Sequence, residues 1–259
     1  MFAGIEGRGA ADAAYTTALM LEYCKPTKTP YSGGAADILK CFDQIQRPLL
    51  YKILEEAGMP TRILDPYKRF LEAIQVHNTV AGGLGEAYHK PTSIPQGDPF
   101  SMMVVALIMR AWIMQMREAA VIPRILADDL QIIAAGPHHL ENFEYAFDLT
   151  HEHLEDMGAK LAPAKSITFT SEAVDRKWLR NHRWRRLGRT IPVILHARDL
   201  GAHLNASAGK QVGTTLTSRM RETTKSVIRL GKMKAPYAKK AAVIRTKLLP
   251  KGLYGCETA

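Results

Sequence analysis

"ILADDLQII", residues 125–133, sets two adjacent carboxylates, Asp128 and Asp129, inside an aliphatic run. Neighbouring like charges repel, and burying either one unpaired is costly. Ile125, Leu126 and Ala127 precede the pair, while Leu130, Ile132 and Ile133 follow it. The stretch therefore reads as two short buried strands meeting at the acids. Such a junction delivers carboxylates to a sheet edge, where a divalent cation offsets their repulsion. An all-oxygen cluster suits Mg²⁺ or Mn²⁺. A solvated Asp-Asp turn is the alternative, and the apolar flanks argue against it.

A partner stands upstream. "AADILKCFDQI" (35–45) places Asp37 at the end of another apolar, strand-like segment. Asp37 and Asp128 on adjacent strands can share a pair of ions. Two ions about 3.5–4 Å apart clamp the attacking and leaving oxygens of a phosphoryl transfer. Asp43 begins a helix and reads more simply as an acid favoured by the helix dipole.

The bulk properties narrow the class. Of the 259 residues 46% are hydrophobic and 23% charged, an ordinary globular mix that argues against disorder. No apolar run reaches the roughly 18–20 residues of a membrane span, and the N-terminus lacks the pattern of a signal peptide. Cys24, Cys41 and Cys256 form neither a disulfide framework nor a metal-spaced pair, so no disulfide partner and a reducing, intracellular setting are expected. The net charge is +10, unevenly spread: from Arg176 onward 20 Lys or Arg face three acids, a balance of +17, against −7 for the first 175 residues. A basic C-terminal third beside an acidic body points to a polyanion partner, most often nucleic acid.

Residues 11–24 read as a helix and 33–39 ("GGAADIL") as a buried strand. One helix is expected over "FDQIQRPLLYKILEEAGMP" and a second over 61–76. A Gly-rich hairpin follows within 77–99, then a helix over 100–119 that opens after Pro99. Beyond the Asp128–Asp129 strands come a helix over 138–157, strand character in "KLAPAKSITFT", a hairpin turning near 187–189, and basic helices over 208–249 broken near Pro236. This is an α+β layout, an antiparallel sheet backed by helices. "DRKWLRNHRWRRLGR" (175–189) interleaves Trp178 and Trp184 with seven basic residues, a pattern suited to phosphate contact and base stacking. His138, His139, His151 and His153 lie on a helix without nearby cysteine and read as exposed helical histidines, not a zinc site. The methionines of "MMVVALIMRAWIMQM" read as core. Arg219, Arg221, Lys225, Arg229, Lys232 and Lys234 form a basic face on the last helices.

Several blocks, in order, resemble the reverse transcriptases, and the LINE-type (non-LTR) retrotransposon group most closely. "AGIEGRGAADAAYTTAL" is similar to the Gly-Arg helix block before the palm, and "DILKCFD" to the first palm block. "SIPQGDPFS" resembles the Gln-Gly turn, "LADDL" the Asp-Asp hairpin, and "MGAKLAPAKS" the block in which a glycine precedes a lysine. "DLGAHLN" resembles the Leu-Gly turn after the palm, and "LYGCET" a stretch beyond the thumb. Leu126 stands where the family usually has an aromatic, and Met102 where it usually has proline.

The resemblance implies a polymerase palm with an antiparallel sheet backed by helices, partial fingers and a helical thumb. Residues 1–32 would be partial fingers, 33–206 palm with a finger-like insertion at about 44–92, and 207–259 the helical basic thumb and the start of the connection. It implies a core truncated at both ends relative to the family. Asp37, Asp128 and Asp129 would ligate two Mg²⁺ or Mn²⁺ ions. Phe42 would be the gate rejecting a ribose 2′-hydroxyl. Gln96 and Gly97 would lie along the templating base and incoming nucleotide, and Lys165 would approach the triphosphate. Leu200 and Gly201 would grip the primer, with Arg183, Trp184 and Arg185 on the primer–template. The partners would be an RNA template, a DNA primer and dNTPs, with no membrane, and a nuclear location would suit a eukaryotic retroelement. Two other readings compete: a non-catalytic nucleic-acid-binding remnant, and another two-metal phosphotransferase, which the Gln-Gly and Leu-Gly blocks disfavour.

Overall fold

The structure is a computed structural model describing residues 6–207 and 215–256. Its centre is a four-stranded antiparallel sheet of order β4-β5-β1-β6, formed by β1 (Tyr31–Asp37), β4 (Ile122–Leu126), β5 (Asp129–Ala135) and β6 (Ile167–Thr170). Helix α1 (Ala10–Cys24) precedes β1. Between β1 and β4 lie α2 (Cys41–Gln44), α3 (Arg47–Glu56), α4 (Thr61–Ala73), the ribbon β2 (Val76–Val80) and β3 (Gly83–Tyr88), and α5 (Ser101–Glu118). Helix α6 (His139–Asp156) joins β5 to β6, and α7 (Ala173–Asn181) leads to the hairpin of β7 (His196–Asp199) and β8 (Ala202–Asn205). The chain ends in α8 (Thr215–Lys232), α9 (Tyr237–Val243), a π-helical stretch Ile244–Leu248 and α10 (Leu249–Leu253).

Strand alternation explains the layering. Leu130, Ile132 and Ala134 of β5 join the main core with Val104, Met109, Trp112 and Met116 of α5 and Phe143 and Phe147 of α6. Their neighbour Ile133 points the other way, into a smaller cluster with Leu21 and Cys24 of α1, Phe169 and Leu204. The sheet is thus covered on both faces. Such cover explains why its strands read as continuous apolar runs.

Two glycines in β1 let both layers close down. A Cβ on Gly33 would sit 2.7 Å from the Phe169 ring, and one on Gly34 would sit 2.9 Å from the Phe143 ring. Each would also stand 2.7 Å from a neighbouring strand's carbonyl.

Several expectations need correction. The single helix after Asp37 is two, α2 and α3, because Ile45 and Gln46 turn extended and Gln46 bridges to Thr92. Pro48 accounts for the break: it sits in the first turn of α3, where its missing N–H costs nothing. No hairpin forms around 187–189. That segment is a tight loop, with Gly188 N–H donating to the Trp184 carbonyl, and only Val193 bridges to β6. His139, His151 and His153 are buried rather than exposed, and the Ser32 hydroxyl stands 2.8 Å from His139 Nδ1. Cys24, Cys41 and Cys256 are free, and among the described residues no helix is long and apolar enough to cross a membrane. The 208–214 part of the expected basic helices lies outside the described residues.

Candidate active site

The two acidic segments meet at one end of the sheet. Antiparallel pairing sets Asp37, the last residue of β1, opposite Asp129, the first of β5. Leu126 faces Asp129 across the β4–β5 hairpin, which leaves Ala127 and Asp128 as a two-residue turn. Ala127 takes φ +56°, the left-handed region that primed hairpin turns require and that glycine usually supplies. A residue with a Cβ holds that conformation only where its surroundings over-determine it, and the five paired residues of β4 do so.

Crowding shows in the electrostatics. The Asp129 carboxyl is pushed up to about 6, first by burial and then by the charges of Asp128, Asp199 and Asp37. The charges of Asp128, Asp199 and Asp37 thus all bear on the Asp129 carboxyl. Among the described residues no group of three or more His, Cys, Asp or Glu stands ready to hold an ion unaided, the three aspartates included.

Asp199 and Arg124, which no local sequence pattern marks, line the narrow cavity beneath Asp129 together with Gln131 and Leu200. Gln131 Nε2 donates to Asp199 (3.1 Å), Thr17 Oγ1 to Gln131 Oε1 (2.6 Å), and Arg124 Nη1 to Thr17 Oγ1 (3.1 Å). Burial pushes the Arg124 guanidinium down to about 10 while Asp199 opposes that shift. Burial also raises the Asp199 carboxyl. This network ties α1, the β4–β5 hairpin and the β7–β8 hairpin into one unit. Its only trace in the sequence is a charge inside each of two short strands.

Leu200 and Gly201 form the two-residue turn between β7 and β8, and both have positive φ, +47° and +82°. The last helices lock this turn. Tyr254 Oη donates to the Leu200 carbonyl (2.9 Å), and Arg219 donates to the carbonyls of Gly201 and Tyr254. The Arg219 guanidinium lies 5.3 Å from the Tyr254 ring centroid. Arg219 is thus turned inward, whereas Arg221, Lys225, Arg229, Lys232 and Lys234 are exposed.

The other expected residues divide. Lys165 Nζ stands 3.8 Å from Asp37 Oδ2, an exposed lysine beside the carboxylates. Phe42 on α2 is half-buried at the edge of the main core. Gln96 and Gly97 sit in the turn before α5, Gly97 with φ +91° and open space where a Cβ would point. Arg183 and Arg185 are exposed. Trp184 corrects the stacking expectation: it is 0% exposed, wedged against Phe143 and Phe147 at 5.8 and 4.5 Å, so no base can reach its face. Part of the surrounding basic stretch is tethered, since Arg186 pairs with both Glu152 and Glu155 of α6 (3.1 Å each).

An antiparallel sheet with carboxylates at one mouth, helices behind and a helical C-terminal unit is the architecture of a palm-type nucleic-acid polymerase. The family described as "Reverse transcriptase (RNA-dependent DNA polymerase)" matches residues 4–191. The chain belongs to that family. Its fold is similar to apo telomerase from Candida tropicalis truncated from the C-terminal domain (TM-score 0.53, 14% identity, 75% of this chain and 38% of that one). It is also similar to telomerase from Candida albicans in complex with a TWJ fragment of telomeric RNA (TM-score 0.52, 14% identity, 95% and 42%). The chain thus spans 38–42% of those two chains. No curated protein matches it.

Proposed function

We propose that this chain is the RNA-directed DNA polymerase core of a LINE-type retroelement, adding deoxynucleotides to a primer 3′-hydroxyl. The observation that carries the reading is the pairing of Asp37 with Asp129 beside Asp128, which brings carboxylates from two separate segments to one end of the sheet. Asp37, Asp128 and Asp129 would hold Mg²⁺ or Mn²⁺. When bound, such ions supply positive charge to the triphosphate and raise the acidity of the attacking hydroxyl.

The chain's own residues supply the rest. The Leu200–Gly201 turn, fixed by Arg219 and Tyr254, presents the primer end beside Asp129. Gln96 and Gly97 carry the template base and its incoming partner. Lys165, beside Asp37, offers a charge or proton to the leaving pyrophosphate. Phe42 stands as a rigid wall where a 2′-hydroxyl would fall. Attack is in line on the α-phosphate, favoured by positioning. Residues 1–32 serve as partial fingers, 33–206 as palm with a finger-like insertion at about 44–92, and 207–259 as thumb and start of the connection; exposed thumb cations such as Arg221 and Lys225 track the duplex phosphates.

The test is extension of a labelled DNA primer on an RNA template with Mg²⁺ or Mn²⁺, comparing the native chain with Asp128→Ala. Extension by the native chain alone supports the reading. Equal binding of primer–template by both proteins, with extension by neither, would make the chain a nucleic-acid-binding remnant.

A further inference from the structure

We infer that the cleft between α4 and the Gln96–Gly97 turn is a stacking site for an unpaired nucleobase, with Phe70 as its platform. The cleft holds about 460 Å³, within the rough range of 300–1,000 Å³ typical of ligand sites. Its floor is three aromatic rings. Phe100 packs on the main core, Tyr67 meets it edge-on at 5.1 Å and is 6% exposed, and Phe70 lies nearly parallel to Tyr67 at 6.5 Å with 54% of its surface in solvent. Phe70 is thus a large apolar side chain left open on a helix that is otherwise well anchored by Leu64, Tyr67 and Leu71.

The chemistry of the cleft selects a base rather than a phosphate. None of its lining residues is basic. Its one carboxylate is already engaged: Asp98 accepts the Tyr67 hydroxyl at 2.7 Å on Oδ2 and the Phe100 N–H at 2.7 Å on Oδ1. The rings of the floor form a π-surface, which stacks any base without regard to sequence. Gln96 is exposed at the rim, where its amide can donate and accept. Gly97 leaves open space beside the ring floor. Arg69, adjacent to Phe70 in sequence and exposed, gives a backbone phosphate a partner outside the cleft. Aromatic floor, amide rim and flanking cation together fit one single-stranded nucleotide.

From the proposed function the inference takes only which strand lies there: the template nucleotide not yet paired. The site is tested by equilibrium binding of two labelled primer–templates, one with a 5′ RNA overhang carrying 2-aminopurine at its first unpaired position and one blunt. The native chain should quench the 2-aminopurine and bind the overhang substrate more tightly than the blunt one. Phe70→Ala should abolish the quench and weaken overhang binding about tenfold, within the range that alanine substitution gives for base stacking, leaving blunt binding unchanged. Phe70→Trp should restore both. Equal behaviour of native and Phe70→Ala, equal weakening on both substrates, or no overhang binding by the native chain would overturn the site. Extension is read separately. A chain that stacks the base through Phe70 but extends no primer keeps the cleft and defeats the polymerase reading. One that extends primers with Phe70→Ala indistinguishable from native does the reverse.

Discussion

At Asp129, burial and three neighbouring carboxylates act in the same direction, and the sign of the consequence is fixed. The folded-state carboxyl titrates near 6, above its ordinary value. Protonation therefore favours the folded state. That contribution is complete below about pH 4 and is lost as pH rises through about 6. Asp129→Asn should melt about 2–4 °C above the native protein at pH 7.5, a modest gain because the side chain has solvent access, and together with it at pH 4. Added Mg²⁺ should narrow the gap at pH 7.5 by relieving the native repulsion. A gap that persists unchanged at pH 4 would refute the repulsion. Gly34 illustrates a purely steric residue: a Cβ there meets the Ile167 carbonyl at 2.7 Å and the Phe143 ring at 2.9 Å. Gly34→Ala should lower unfolding stability by about 1–3 kcal/mol in a urea titration.

At the scale of elements, α6 carries a built-in acid sensitivity. His151 is 2% exposed, neither ring nitrogen has a hydrogen-bond partner, and burial pushes it down to about 4. Its nearest acid, Asp148, stands 3.8 Å away, and its ring meets Phe147 edge-on. A lowered folded value means stability is intact above about 6.5 and is lost as pH falls towards 4. The native chain should lose roughly 2–3 kcal/mol across that window, and His151→Phe should flatten the loss. The C-terminal helices and the β7–β8 hairpin form a second coupled pair of elements. Tyr254→Phe removes the hydroxyl that serves the Leu200 carbonyl and should cost about 1 kcal/mol. Combined with Arg219→Leu, the losses should fall short of additive, because both groups hold one turn.

Legibility from sequence followed the range of the contacts. Asp128 and Asp129 stood out because acids inside aliphatic runs violate local expectation, and Asp37 because its segment has the same pattern. The strands around them follow from apolar runs whose two faces are both covered. Arg124, Gln131 and Asp199 were invisible because their meaning depends on pairing between β4, β5 and a hairpin more than 60 residues away. Arg219 read as one more cation on a basic face, since nothing local says which arginine turns inward. Trp184 misled for the opposite reason: basic neighbours suggested a stacking platform, while its ring fills the space over Phe143 and Phe147. His139 and His151 of α6 share that lesson, since Asp175 of α7 lies 3.5 Å from one and the Trp184 ring meets the other edge-on.

For the whole molecule, the proposed function sets a nucleic-acid substrate across the carboxylate-lined sheet end of a chain with net charge +10. The central claim is that carboxylates from two separate strands act as one metal-dependent site. The most direct measurement is the rate of first deoxynucleotide addition on an RNA template across a Mg²⁺ titration, for the native chain, Asp37→Asn and Asp128→Asn. The native chain should add the nucleotide in a Mg²⁺-dependent manner, and both variants should lose on the order of 10²–10³-fold in rate. A native chain inactive at every Mg²⁺ concentration, or either variant retaining most of the native rate, would contradict it.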